Sequence, residues 1–163
     1  MKLYKVLLKT TFLSFLAFAF LFVSCKKDDP DPVVVVDNNE IVGKWQLTSV
    51  TPENASTSIP GLSLIPVAAP CAYSLIFTFT SDNKVTPSNC DAAIALLAQT
   101  GYITVGQTTT WKVANGNLNL TNGSTVQALP IKQNVDEMTI TVNTNTTGAG
   151  AAVNALLLFK RVK

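Results

Sequence analysis

The sequence predicts an all-β fold, an eight-stranded antiparallel up-and-down barrel over residues 40–163 with one short helix and a long Pro-rich loop. Three observations point there. From Glu40 onward apolar and polar residues alternate at a period of two, which turns one face of each segment to a core and the other to water. Turn signals such as Asn115-Gly116 and Asn122-Gly123 recur at short intervals. The alternating segments number eight, and eight tilted strands close a barrel whose interior is filled by side chains or holds one small ligand.

Taken in order, residues 41–50 place Ile41, Gly43, Trp45 and Leu47 on one face and Val42, Lys44, Gln46 and Thr48 on the other. Residues 73–80 set Tyr73, Leu75, Phe77 and Phe79 against Ser74, Ile76, Thr78 and Thr80. The turn Ser81-Asp82-Asn83-Lys84 starts a short return strand through Val85. Thr108 to Ala114 directs Trp111 and Val113 inward, and Asn117 to Thr121 directs Leu118 and Leu120 inward. Asn115-Gly116 joins them as a hairpin, because both central residues of that turn require positive φ. Asn122-Gly123 leads to Thr125–Gln133, and a turn at Val135-Asp136 leads to Met138, Ile140 and Val142 on one face. A Gly- and Thr-rich loop, Asn143 to Gly150, precedes the last strand, Val153 to Val162, with Ala155, Leu157, Phe159 and Arg161 inward.

Two insertions interrupt this meander. Pro52 to Pro70 holds prolines at 52, 60, 66 and 70 with Leu62, Leu64, Ile65 and Val67 between them, a long apolar loop of the kind that serves as a lid or binding loop. Asp91 to Gln99 reads as a two-turn helix, with Asn89 or Asp91 to cap its start and Gly101 to end it. Both are expected to cover the barrel mouth.

Composition excludes much chemistry. Among 163 residues there is no His and one Arg, Arg161. Without His the usual general base, the commonest transition-metal ligand and every Ser-His or Cys-His nucleophile pair are gone. A lone Arg argues against phosphate clamps and nucleic-acid grooves, which use Arg in clusters. The acids of the domain, Glu40, Glu53, Asp82, Asp91, Asp136 and Glu137, fall in turns, loops and a helix start and do not converge as a pair of catalytic carboxylates must. No catalytic activity, cofactor, metal or nucleic-acid partner is expected.

The N-terminus distorts the whole-chain averages. Lys2, Lys5 and Lys9 precede an apolar run from Thr10 to Val23, too short for a membrane-spanning helix of about 20 residues but suited to a secretory signal over residues 1–24. Leu21-Phe22-Val23-Ser24-Cys25 resembles a bacterial lipobox, with Phe22 where Leu is usual. The resemblance implies cleavage before Cys25 and its acylation, hence a membrane anchor, since two or three acyl chains hold a protein where one would not. Lys26-Lys27-Asp28-Asp29 is similar to the signal that sends Bacteroidota lipoproteins to the outer face of the outer membrane; a solvated spacer is the other reading. Residues 25–39 form a tether, because Pro30 and Pro32 suit neither helix nor central strand. Three of the 12 basic residues lie in the signal, so residues 25–163 carry 9 Lys+Arg against 10 Asp+Glu. The apparent basicity belongs to the signal.

Once Cys25 is acylated, Cys71 and Cys90 remain as an even pair in an exported chain. A disulfide between them would contribute about 3 kcal/mol through the unfolded state; free buried thiols are the alternative.

Several motifs then fall into one order: Gly43-Lys44-Trp45, Phe77-Thr-Phe79 before an Asp/Asn turn, Thr110-Trp111 before Asn-Gly and Leu118-Asn-Leu120, and a final Leu157-Leu-Phe159-Lys160-Arg161. This order resembles the lipocalin-like domains of Bacteroidota-type lipoproteins. The resemblance implies an eight-stranded barrel and a structural pair at its closed end, Trp45 beneath Arg161. Independently, a lone Arg on the face of Leu157 and Phe159 needs a partner, and stacking on an indole supplies one.

Two functions stay open. In the first, a monomeric lipid-anchored barrel of the outer membrane holds a small apolar ligand under the 52–70 loop, with Tyr73, Leu75, Phe77, Phe79, Met138 and Leu157 as pocket residues; the alternative for these six is solid core filling. In the second, the chain is a protein-interaction module such as an envelope inhibitor of proteases or lysozyme, acting through Pro52–Pro70 or Val33–Asn38.

Overall fold

A computed structural model of the chain describes residues 39–145 and 150–163. The expected signal 1–24, Cys25 and the tether up to residue 38 lie outside the described residues. Alternation does produce eight strands: β1 (Gly43–Pro52), β2 (Ile76–Phe79), β3 (Val85–Ser88), β4 (Thr110–Ala114), β5 (Asn117–Asn122), β6 (Thr125–Gln133), β7 (Glu137–Asn143) and β8 (Asn154–Arg161). They form one antiparallel sheet in the order β3-β2-β1-β8-β7-β6-β5-β4. The last strand thus sits beside the first.

The two ends of the sheet meet at one level, where Lys84 bridges Thr110, Val85 N–H donates to Thr109 O at 3.1 Å and Trp111 N–H donates to Asn83 O at 2.8 Å. The seam stops there because the chain before β4 turns away, Thr109 N–H donating to Gly106 O at 3.2 Å and not to Val85 O, and Pro87 could not extend it. It shares the parity of Val85, so its nitrogen faces β4, and a proline nitrogen has no hydrogen to donate. The barrel is closed at that end and parts toward the other, where α2 (Asp91–Thr100) and the segment after Pro52 take over.

The closed half is packed solid. Trp45, Phe77, Phe79, Trp111, Met138 and Phe159 are all nearly inaccessible to solvent. Phe77 stacks on Phe159 with centroids 5.4 Å apart, and Phe79 meets Trp111 edge to face at 5.7 Å. Each of these large apolar side chains contributes roughly 1.5–3 kcal/mol on burial. The indoles also satisfy their N–H groups, Trp45 on Ile41 O at 2.6 Å and Trp111 on Thr80 O at 3.2 Å.

Local departures from the expected elements have identifiable causes. Asn115 (φ 53°) and Gly116 (φ 73°) make the expected hairpin, but at the next one Asn122 still pairs with Thr125, so Gly123-Ser124 form the turn. Strict alternation along 41–50 breaks at Thr48: Leu47 faces Phe159 and Ser49 faces Leu158, so Thr48 is an extra residue. This bulge flips the parity of the rest of β1 and brings Val50 to the inner face. The expected strand 73–80 shortens to β2, because Pro70 and the bonded Cys71 lead into a 3-10 turn, Ala72–Ser74. With three residues per turn, Ala72 and Leu75 both face inward while Tyr73 is turned out. Neither Asn89 nor Asp91 caps α2; Cys90 holds the cap position, with no side-chain cap bond, and the helix runs to Thr100.

Candidate functional site

The inner face of the open half is lined by small and aliphatic side chains rather than rings, and a cavity of about 200 Å³ remains there. Its floor and walls are barrel residues, Leu47 and Val50 from β1, Val142 from β7, and Ala155 and Leu157 from β8, with Leu75 just before β2. The roof comes from the two insertions. Ile59, Leu62, Ile65 and Ala69 descend from the Pro-rich segment, which contains a 3-10 turn (Leu62–Leu64) and the one-turn helix α1 (Ile65–Ala68). Ala93, Leu96 and Leu97 come from α2.

Cys71 and Cys90 are disulfide-bonded, with Cα atoms 5.5 Å apart. Cys71 ends the Pro-rich roof segment and Cys90 immediately precedes α2. The bond therefore pins both roof elements at a single point. Among the lining residues Pro60 and Gly61 are exposed, which marks the mouth at their turn.

The lining carries no charged side chain; its polar members are Thr100, Tyr102 and Thr144. The two threonines are committed to their own backbone: Thr100 Oγ1 donates to Leu96 O at 2.9 Å, and Thr144 Oγ1 donates to Val153 O at 2.8 Å. Tyr102, half-buried, is the third polar side chain of the lining, and its hydroxyl makes no hydrogen bond within the described residues. An ionised guest would be buried without a counter-charge, which is strongly unfavourable. The volume exceeds that of a 150 Å³ apolar cavity known to accept benzene and falls short of the usual 300 Å³ and more of drug-sized pockets. It suits a single ring or a short aliphatic chain.

Of the six residues suggested for a pocket by sequence, Leu75 and Leu157 line this cavity. Phe77, Phe79 and Met138 lie deeper and fill the closed half, and Tyr73 is 41% exposed on the outer side of its turn. Val50 escaped the sequence reading because a bulge is not visible in alternation. Ile59, Ala69 and Tyr102 escaped it because they reach the cavity only through tertiary folding of loops.

At the opposite end Arg161 lies over the Trp45 ring, 4.2 Å from guanidinium carbon to centroid. The two residues are direct cross-strand partners. Arg161 donates through Nη1 to Val42 O at 2.8 Å, and also to the carbonyls of Val135 and Glu40. Gly43 makes the room: a Cβ there would sit 2.5 Å from Arg161 Nη1, and its φ of +138° favours glycine. The arrangement is a structural plug.

The acids stay apart from the cavity. At the closed-end turn Asp82 accepts from Thr80 Oγ1 and pairs with Lys84 at 3.0 Å; the Thr80 hydrogen bond first, then Lys84, hold its carboxyl below the ordinary aspartate range. Among the described residues no group of three or more His, Cys, Asp or Glu could hold a metal ion, and no helix is long and apolar enough to cross a membrane.

A family model described as a lipocalin-like domain matches residues 41–147, from just before the Gly-x-Trp strand to just past β7. The structure completes that unit with β8, which pairs with both β1 and β7. No curated protein and no solved structure matched the chain. With the matched span covering more than half of its length and the described residues forming an eight-stranded, nearly closed antiparallel barrel, the chain belongs to the lipocalin-like domain family.

Proposed function

We propose that this chain is a lipid-anchored lipoprotein of the cell envelope whose lipocalin-like barrel binds a small, uncharged apolar molecule in the roofed cavity, without catalysis. The lipocalin-like barrel is a binding fold, generally non-catalytic, and the observation that carries the ligand reading is the charge-free cavity walled by Leu47, Val50, Leu75 and Leu157 beneath the disulfide-pinned roof. Support for the envelope comes from the signal-like residues 1–24 ending at Cys25, from the Lys26-Lys27-Asp28-Asp29 run, and from the disulfide, which belongs to an oxidising compartment. The inhibitor reading has less support, because Ile59, Leu62 and Ile65 of the Pro-rich segment line the cavity, which leaves Leu64 and Val67 as its exposed large apolar side chains.

Mass spectrometry of the protein purified from its native membrane, with small molecules extracted in parallel, tests both halves. Acyl mass on an N-terminal Cys25 and a co-purifying neutral apolar compound are the expected results. A mature form that starts elsewhere and lacks acyl mass would sink the anchor, and a cavity that takes up no neutral apolar compound would sink the ligand.

A further inference from the structure

Charge is distributed unequally along this barrel. Residues 39–163 contain 13 Lys, Arg, Asp and Glu, and 11 of them belong to the closed half: the start of β1, the β2–β3 and β6–β7 turns, β4 with its hairpin, the end of β6 and the end of β8. The open half keeps Glu53, which accepts from Asn154 Nδ2 at 2.8 Å, and Asp91 at the start of α2. Between Glu53 and Asp82 no residue of 54–81 is charged. Of the six exposed large apolar side chains among the described residues, four lie on this open half: Leu64 (60% exposed), Val67 (78%), Tyr73 and Val126. Leu64 and Val67 stand on the outer side of the roof, whose inner side seals the cavity.

We propose that the open end docks on the surface of a phospholipid bilayer, with Leu64 and Val67 sunk among the headgroups and the Pro60-Gly61 mouth turned to the lipid. This goes beyond the ligand reading and rests on the anchor reading for proximity alone. A protein partner would be met by an interface rim of polar and charged groups, and this roof offers no charged group across residues 54–81. A bilayer interface asks only for apolar side chains on a face without buried charge. Covalent geometry permits the pose: the 14 residue steps from Cys25 to Asn39 reach at most about 46–50 Å, more than the roughly 33 Å of a ten-residue strand such as β1. The anchor raises the local lipid concentration, so two apolar side chains suffice at bulk lipid concentrations too low to hold a free protein. Among the described residues the Lys side chains lie on the closed half, so attraction of the roof to anionic headgroups plays no part.

The test uses the full acylated chain in vesicles of phosphatidylcholine with a brominated share, carrying Val67→Trp on the roof or Val135→Trp, whose side chain is 66% exposed on the closed end. The native Trp45 and Trp111 are buried and supply a constant background. Val67→Trp emission is expected to shift blue and to be quenched at least twofold more than that of Val135→Trp, unchanged by 0.5 M salt or by added anionic lipid. Equal quenching of the two in vesicles that demonstrably carry the protein overturns the docking and leaves the anchor intact, as does shielding of Val67→Trp that appears only when envelope proteins are added. If the chain does not float with vesicles, the anchor reading fails; the same Trp pair at high lipid concentration then decides the docking, with equal quenching again overturning it.

Discussion

Arg161 closes the narrow end of the barrel by lying over Trp45, its cross-strand partner, while its N–H groups reach three backbone carbonyls, those of Glu40, Val42 and Val135. These carbonyls belong to the segment entering β1 and to the β6–β7 turn. One side chain therefore joins three stretches of chain that are distant in sequence.

Removing that side chain leaves the carbonyls short of a donor and uncovers the indole. Arg161→Ala is expected to cost about 2–4 kcal/mol, the sum of a cation–π contact and charge-assisted hydrogen bonds in a partly exposed site. Arg161→Lys should recover less than half, because an ammonium cannot reproduce the planar fork. Gly43→Ala should destabilise by a similar route, and less so when Arg161 is already Ala, since the steric clash with Nη1 is then gone. Urea unfolding of the four variants checks this; full stability of Arg161→Lys would refute it.

The disulfide ties the Pro-rich segment to α2. Cys71→Ser with Cys90→Ser should lower stability by about 3 kcal/mol and weaken capture of apolar guests more than tenfold, because the roof loses its common fixed point while the aromatic half stays packed. The tryptophan bands of the near-ultraviolet circular dichroism spectrum, which report Trp45 and Trp111, should change little. A double variant that binds as well as the parent would show that the roof holds itself.

Selectivity derives from the lining. Neutral short-chain alcohols or single-ring compounds should bind at least tenfold more tightly than carboxylates of equal length, because the cavity offers no counter-charge. Tyr102→Phe should weaken alcohols without affecting hydrocarbons, and Ala155→Leu should abolish binding of both while the domain stays folded. Isothermal titration calorimetry distinguishes these outcomes, and equal affinity for hexanol and hexanoate would contradict the assigned lining.

Asp82 predicts a pH response at low pH. Its folded-state pKa is lowered by the Thr80 and Lys84 hydrogen bonds, so its stabilising contribution is full above the unfolded value of about 3.9 and is lost as pH falls through the folded value. The stability difference between the parent and Asp82→Asn should therefore be constant above about pH 5 and close below pH 4. A difference that instead grows on acidification would mean the carboxyl is not held as the structure indicates.

Much of the barrel was legible in the chain because period-two alternation and Asn-Gly turns are local signals. The segments around Trp111, Leu118, Leu129, Ile140 and Phe159 all became strands with those residues buried. The site was legible only in part. Leu75 and Leu157 were apparent from alternation, whereas Phe77, Phe79 and Met138, equally inward by pattern, fill the core instead. Periodicity reports which face a residue takes and carries no information on its depth along the barrel axis.

By itself the sequence determined the strand pattern, the hairpin at Asn115-Gly116 and the lack of His-based chemistry, because each depends on neighbouring residues or on composition. Only the tertiary structure decided where the barrel is full and where it is hollow. That outcome depends on the Gly106–Thr109 turn ending the β3–β4 seam, on the Thr48 bulge turning Val50 inward, and on the folding of two insertions over the open mouth. Each is a contact between segments far apart in the chain, set by packing and hydrogen-bond closure that no local pattern encodes.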